Sequence, residues 1–441
     1  MKTDVLIVGA GCAGLYCALK ISKDKHITVI TKSDVEESDS FLAQGGMCML
    51  RGEYDFESYF EDTMRAGHYE NDEESVKIMI RSSQSIVRDL LEFGVDFNKD
   101  KSGKLAFTKE GAHREKRILY HKDITGKEIT GRLYEEAKKR GNIEILTHTT
   151  MVDLISKNNE CFGAIVKKAD GHTEEILAGC SVLACGGIGG LFDHSTNYRH
   201  LTGDGLAAAI EHGIELKDVN YIQIHPTTLY TKDNKDRSFL ISESVRGEGA
   251  KLYDKNMNRF VDELLPRDLL TKAIYEQMKK DGTEFVWEDL RTIPREELIN
   301  HFPNIVAKCQ EMGYDVFNEC IPVVPAQHYF MGGIKVDHQS KTSMEKLYAI
   351  GETACNGVHG KNRLASNSLL ESLVFAARAA AEISLFYENE KAEENFIKNI
   401  NLSMYEDYDS ISKKNARLVL EEIRKEDIKA EIVRMKHKTT A

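Results

Sequence analysis

The chain has no C-x-x-C pair, and its nine cysteines are an odd number. A disulfide framework and a thiolate zinc site are therefore excluded. Reduced, mostly buried thiols in a cytoplasmic protein are the expectation. A basic surplus is also missing: 59 Lys and Arg stand against 71 Asp and Glu, for a net charge of -12. That balance repels nucleic acid phosphates and anionic membrane surfaces, so neither is expected as a partner. It still leaves room for a locally positive cleft that takes an anionic substrate. No apolar run reads as a membrane span. The strongest, 369–386, is broken by Glu371, Arg378 and Glu382 and reads as a buried helix. The N-terminal run Val5-Leu6-Ile7-Val8 lacks the basic flank of a secretion signal and leads straight into glycines, so it reads as a strand. Internal repeats and low-complexity linkers are absent. What is present is 441 residues, 41% of them hydrophobic, enough for two or three domains with sizeable cores.

Asp4-Val5-Leu6-Ile7-Val8 is a continuous apolar run of strand length, the pattern of a parallel strand buried on both faces. Gly9-Ala10-Gly11-Cys12-Ala13-Gly14 follows. Leu15 to Ser22 has helical spacing, and His26-Ile27-Thr28-Val29-Ile30 is a second strand. This is a βαβ unit with a dinucleotide fingerprint in its proper context. Gly9 permits the tight turn, Gly11 lets a pyrophosphate approach the backbone, and Gly14 lets the helix pack on the strand. The helix N-terminus then offers free N–H groups to the phosphates. The acidic residue expected at the end of the second strand is replaced by Thr31-Lys32. Lys32 either contacts the ribose or a phosphate, or is an ordinary solvated loop lysine.

Two further strand–glycine units, at Cys180 to Gly187 and Leu347 to Glu352, belong beside the first. Their separation implies a nucleotide domain, 1–220 with 334–385, interrupted by an insert at 221–333. The last part, 386–441, is rich in Lys, Glu, Asp and Asn and is expected to form a short helical appendage. The loop Ser38-Asp39-Ser40-Phe41-Leu42-Ala43-Gln44-Gly45-Gly46 offers small residues and backbone N–H groups to a flat ring, although an ordinary polar loop would look the same.

Six motifs occur in one order. They are Ala43-Gln44-Gly45-Gly46, Gln223-Ile224-His225-Pro226-Thr227, Arg246-Gly247-Glu248-Gly249, Pro266-Arg267-Asp268, His328-Tyr329 with Gly332-Gly333, and His359-Gly360-Lys361-Asn362-Arg363. Together they resemble the flavoprotein family of succinate dehydrogenase, fumarate reductase and L-aspartate oxidase, over about residues 1–385. The resemblance implies an α/β fold: a Rossmann-like FAD-binding domain interrupted by an α+β capping domain, with a short C-terminal helical segment. In the dehydrogenase branch a histidine five residues before the Q-G-G glutamine carries FAD covalently. Here that position is Asp39, so the FAD is expected to be non-covalent. Arg363-Leu364-Ala365-Ser366-Asn367, Thr31-Lys32 and Lys109-Glu110-Gly111-Ala112-His113 all resemble the aspartate oxidase branch.

On that resemblance, Arg267 and Glu110 are the catalytic candidates. Arg267 is the proton donor when fumarate is reduced, and Glu110 orients the substrate amino group. His225, Ser242, Glu243, His328 and Arg363 are the substrate-binding candidates, since guanidinium is the best partner for carboxylate. Thr150, Met151, Asp204, Glu352, Ser368 and Leu369 join the glycine loop, Lys32 and residues 39–46 as cofactor lining. Glu352 is expected to supply the ribose contact that the first unit lacks. His359 is as consistent with a substrate-side role as with a structural one, and His113 is supported only by its neighbourhood.

The implied reaction is oxidation of L-aspartate to iminoaspartate, with oxygen or fumarate as acceptor, the first step of NAD biosynthesis from aspartate. Quinolinate synthase would then be the next enzyme. A soluble fumarate reductase shares the dicarboxylate clamp and is the alternative. An FAD-dependent RNA-modifying protein is disfavoured by the acidic charge and the missing cysteine pair.

Overall fold

The computed structural model describes residues 1–232, 237–386 and 400–439. Its central seven-stranded sheet is built on β1 (Lys2–Val8), which pairs in parallel with β2 (Ile27–Ile30) on one side and with Thr173–Leu183 on the other. Ile143–Leu146 extends the sheet beyond β2, and Leu347–Ala349 pairs in parallel with the end of Thr173–Leu183. An antiparallel meander, Thr150–Lys157 and Glu160–Lys167, leads into Thr173–Leu183. Val5, Leu6 and Ile7 are fully buried, as the unbroken apolar run requires.

The helix α1 (Cys12–Lys20) starts three residues before the expected Leu15. Gly11 is its extended N-cap, so the second half of the fingerprint is already the first helical turn. Gly9 sits at φ +119, and a Cβ there would lie 2.0 Å from the Ala184 carbonyl oxygen. The turn therefore tolerates only glycine, and it locks the loop to the strand beside β1.

A second sheet is antiparallel and four-stranded, in the order Ile222–Leu229, Ile321–Phe330, Val286–Asp289 and Lys251–Tyr253. The helix Arg267–Asp281 packs on it. Its core, from Leu252 and Ile274 to Val323, is a cluster of its own. The helix Asn367–Phe386 lies on the α1 face of the main sheet, with Leu370, Ala376 and Ala379 wholly buried.

The C-terminal region is helical and packs on the main domain. Tyr408–Thr439 forms a 32-residue helix. Val419 and Ile423 enter the core of the main domain, and Ile400, Leu402, Tyr405 and Tyr408 cover the meander. Apolar positions spaced along an otherwise charged helix supply that stripe. Of the region 386–441, residues 387–399 and 440–441 lie outside the described residues. All nine cysteines are free, and seven of them are buried. Among the described residues no helix is long and apolar enough to cross a membrane.

Candidate functional site

One continuous cavity runs from the β1–α1 loop to the second sheet. At one end its wall is Gly9, Ala10, Gly11, Cys12 and Ala13, with Lys32, Thr150, Met151 and Asp204 close to the end of β2. The middle is Asp39, Ser40, Leu42, Ala43, Gln44, Gly45 and Gly46, with Glu352, Ser368 and Leu369. The far end is Glu110, His225, Ser242, Glu243, Arg267, His328 and Arg363. These candidates come from segments spread over the whole chain and converge on one space.

The structure also places the remaining candidates. Gly14 lies behind the wall: a Cβ there would meet the Gly9 carbonyl oxygen at 1.9 Å, so its work is helix packing. Phe41 is absent from the wall because its ring reaches toward Gly131 of the helix Thr125–Lys138. Glu352 lies past the strand Leu347–Ala349, which is three strand positions from β2. That is about 14 Å across the sheet from where an acid at the end of β2 would stand, and Glu352 still lines the cavity. His359 does not reach the cavity; it stands behind Tyr329, ring centroids 5.3 Å apart, with Glu371 Oε2 4.0 Å from Nε2. His113 is likewise structural, with Nε2 3.0 Å from the Ala365 carbonyl and Arg117 3.1 Å from Nδ1.

The cradle fits a bound dinucleotide. Cys12 N–H, in the first turn of α1, donates to Ser40 Oγ at 2.9 Å, at the position where a pyrophosphate would compete. Asp39 Oδ2 and Gln44 Oε1 are buried in the wall with no hydrogen-bond partner among the described residues. Such orphans are uncommon in a native interior and point to a polar ligand. Burial pushes the Asp39 carboxyl up to about 7 and Glu352 up to about 8. Both therefore hold protons readily beside a cofactor rich in acceptors.

At the far end two buried arginines share one oxygen. Arg267 donates to Gln223 Oε1 at 2.8 Å and Arg363 donates to the same atom at 3.3 Å. The Gln223 amide nitrogen in turn donates to Asn362 Oδ1 and the Arg363 carbonyl, both at 2.8 Å. Arg267 begins its helix, and its Nε donates to Glu243 at 2.6 Å. Arg363 also donates to Ser368 and lies 4.3 Å from the Tyr329 ring centroid. Burial, and then Arg267 beside it, lower the Arg363 guanidinium to about 10, so it stays a cation.

Glu110 accepts from Ser244 and Ser366, each at 2.6 Å, and its Oε1 lies 2.7 Å from where a Gly45 Cβ would be. Burial and neighbouring Glu243 raise its pKa. Burial also pushes Glu243 up, but Arg267 and Arg246 outweigh it and hold Glu243 below the usual range. His225 and His328 meet edge to face at 5.0 Å. Burial and the nearby Arg267 hold both well below the ordinary imidazole value, so they are neutral. His225 Nδ1 is engaged by the Thr227 backbone, and its Nε2 is buried with no hydrogen-bond partner among the described residues.

Gln223, Ser244, Ser366, Thr196 and Arg237 are wall or support residues to which sequence reasoning gave no role. Gln223 carried a local signal: it lies in the Q-I-H-P motif two residues before His225, and alternation along a strand puts both on one face.

Two cations, two carboxyls and two neutral imidazoles around one space suit a small dicarboxylate that also carries an amine. Residues 4–369 match the family described as FAD binding domain. The chain is 50% identical over 436 residues to an L-aspartate oxidase of Clostridium perfringens, covering 98% of this chain and 97% of that one. It is 43% identical to an L-aspartate oxidase of Nostoc sp., covering 86% and 67%. Among solved structures it is similar to a variant of E. coli quinol fumarate reductase, with TM-score 0.85, 27% identity, and coverage of 93% of this chain and 74% of that one.

Proposed function

The chain belongs to the FAD binding domain family, in its L-aspartate oxidase branch, and from that premise we propose how its site oxidises L-aspartate to iminoaspartate. It is an FAD-dependent oxidoreductase. Residues 1–220 with 334–385 hold the cofactor, and 221–333 close the substrate end. FAD, when bound, supplies the two-electron acceptor for the hydride that leaves Cα. Asp39 offers no imidazole for a flavin bond, so the cofactor is held without one.

The chain's residues do the rest. Arg363 clamps one carboxylate, pre-oriented by Gln223 and Ser368. His225, through its unpartnered Nε2, and His328 take the other. Glu110 faces the substrate ammonium. Its raised proton affinity suits it to accept the proton that the ammonium sheds as the C=N bond forms. Glu243 keeps Arg267 fixed, so Arg267 stabilises negative charge in aspartate oxidation and donates a proton when fumarate is the acceptor. Ser242 caps the short helix that carries Glu243.

The observation that carries this reading is the pair of buried guanidiniums on Gln223, facing Glu110 in a cavity continuous with the glycine cradle. Oxygen, giving hydrogen peroxide, and fumarate, giving succinate, are the two acceptors. The product opens NAD biosynthesis from aspartate in the cytoplasm, with quinolinate synthase as the next enzyme. Anaerobic titration with L-aspartate bleaches the bound flavin, and added oxygen or fumarate restores it. Bleaching by succinate but not by aspartate would make the protein a succinate-oxidising enzyme instead.

A further inference from the structure

We propose that His113 is the positioning residue for Glu110 and so sets the preference of the site for a substrate that carries an amine; this rests on Glu110 facing the ammonium. His113 lies outside the cavity wall, in the loop that carries Glu110. Its ring is held on both sides. Arg117 Nη1 is 3.1 Å from Nδ1, and the Ala365 carbonyl oxygen is 3.0 Å from Nε2. A guanidinium only donates and a carbonyl only accepts. Nδ1 is therefore the acceptor, and Nε2 carries the proton. One tautomer of the neutral ring makes both bonds. Burial and the Arg117 charge lower His113 to about 4, which keeps the ring neutral.

The anchor behind the ring is a buried charge cluster. Arg117 is wholly buried and donates to Asp55 at 2.9 Å, Asp62 at 2.8 Å and Ser58 at 3.0 Å. Asp62 also accepts the Arg114 backbone N–H at 2.8 Å and the Arg65 guanidinium at 3.0 Å. Arg65 in turn donates to the Ala112 carbonyl at 2.9 Å. The loop after Glu110 is thus tied to this cluster at residues 112, 113, 114 and 117. Ala112 sits at φ +65, a conformation that alanine adopts only under constraint, and these ties supply the constraint.

On its other side the ring reaches the partner of Glu110. The Ala365 carbonyl belongs to the planar peptide unit that leads into Ser366. Ser366 Oγ donates to Glu110 Oε2 at 2.6 Å and accepts from the Gly46 N–H at 3.2 Å. One ring therefore fixes both the loop that carries the carboxylate and the hydroxyl that holds it. When the Nε2 bond is lost, the loop and Ser366 are free to separate, and Glu110 loses its register with the amine. The carboxylate clamp is held separately, Arg363 by Gln223 and Ser368, and His225 by the Thr227 backbone.

The test measures steady-state aspartate oxidation and fumarate reduction on FAD-loaded protein. His113→Asn keeps an amide oxygen near the Nδ1 position for Arg117 and is too short to reach Ala365. It raises the KM for aspartate about tenfold and leaves the KM for fumarate within about twofold of wild type, since one buried hydrogen bond is lost at the amine end. His113→Gln, whose amide reaches the Nε2 position, returns the aspartate KM to within about threefold of wild type. In a Glu110→Gln background His113→Asn adds less than about twofold, because the group it positions is already changed. An unchanged aspartate KM in His113→Asn beside a raised one in Glu110→Gln overturns the proposal and leaves the reading of Glu110 standing. Equal loss with both substrates in His113→Asn, the mark of a merely structural residue, does the same. An unchanged aspartate KM in Glu110→Gln overturns that reading and the proposal with it. Should His113→Asn fail to take up FAD, His113→Gln decides: an aspartate KM within about threefold of wild type supports the proposal, and a rise of about tenfold overturns it.

Discussion

Gln223→Leu tests the clamp at its centre. Leucine has nearly the volume of glutamine, so packing changes little, but four hydrogen bonds disappear. Two of them come from guanidiniums, each worth about 1.5–3 kcal/mol. Arg267 keeps Glu243 and Arg363 keeps Ser368, and both had shared one oxygen, so the two losses do not add in full. A net loss of about 3 kcal/mol in positioning corresponds to roughly 100-fold in kcat/KM for aspartate. Gln223→Glu keeps an acceptor and loses less. Steady-state kinetics with aspartate, on protein whose flavin absorbance shows full occupancy, gives the answer. A Gln223→Leu enzyme within about threefold of wild type would mean that the two arginines need no common anchor.

Glu110→Gln raises the KM for aspartate at least about tenfold and affects fumarate reduction less, because only aspartate brings an ammonium to that carboxyl; equal loss in the two assays would contradict the role. Acid precipitation of the holoprotein releases all of its flavin into the supernatant, and yellow colour retained in the pellet would contradict non-covalent binding. Glu288 is fully buried, neither carboxylate oxygen has a hydrogen-bond partner among the described residues, and burial pushes it up to about 7. Its folded value lies above the unfolded one of 4.5, so the native state holds the extra proton. Stability is then lost as pH rises from about 4.5 to about 7 and the loss is complete above that. Glu288→Gln accordingly melts higher relative to wild type at about pH 8 than at about pH 5, and a constant difference would refute the assignment.

The parts of the fold that the sequence made legible are those with local causes. An apolar run, three glycines and a second run specify β1, α1 and β2, because strand burial and tight turns need those residue types in place. The convergence of Glu110, His225, Arg267 and Arg363 was readable only through ordered motifs, since nothing local says that residues 110 and 363 meet. Gln223 shows the limit: its motif was visible, but its grip on Arg363 spans 140 residues. Glu352 and Lys32 show a related limit. Both end buried strands beside the cofactor, and only the strand order separates them by about 14 Å. The docking of the C-terminal helix was hidden because its buried stripe, including Val419 and Ile423, is sparse among charged residues.

The most direct test of the central claim is the rate of anaerobic flavin bleaching with deuterated L-aspartate. Hydride departure from Cα, beside the amine held by Glu110, predicts a primary isotope effect with deuterium at C2 and none with deuterium at C3. An effect from C3, or no bleaching by aspartate at all, would mean that the site removes hydrogens across a C–C bond and is not an amino-acid oxidase.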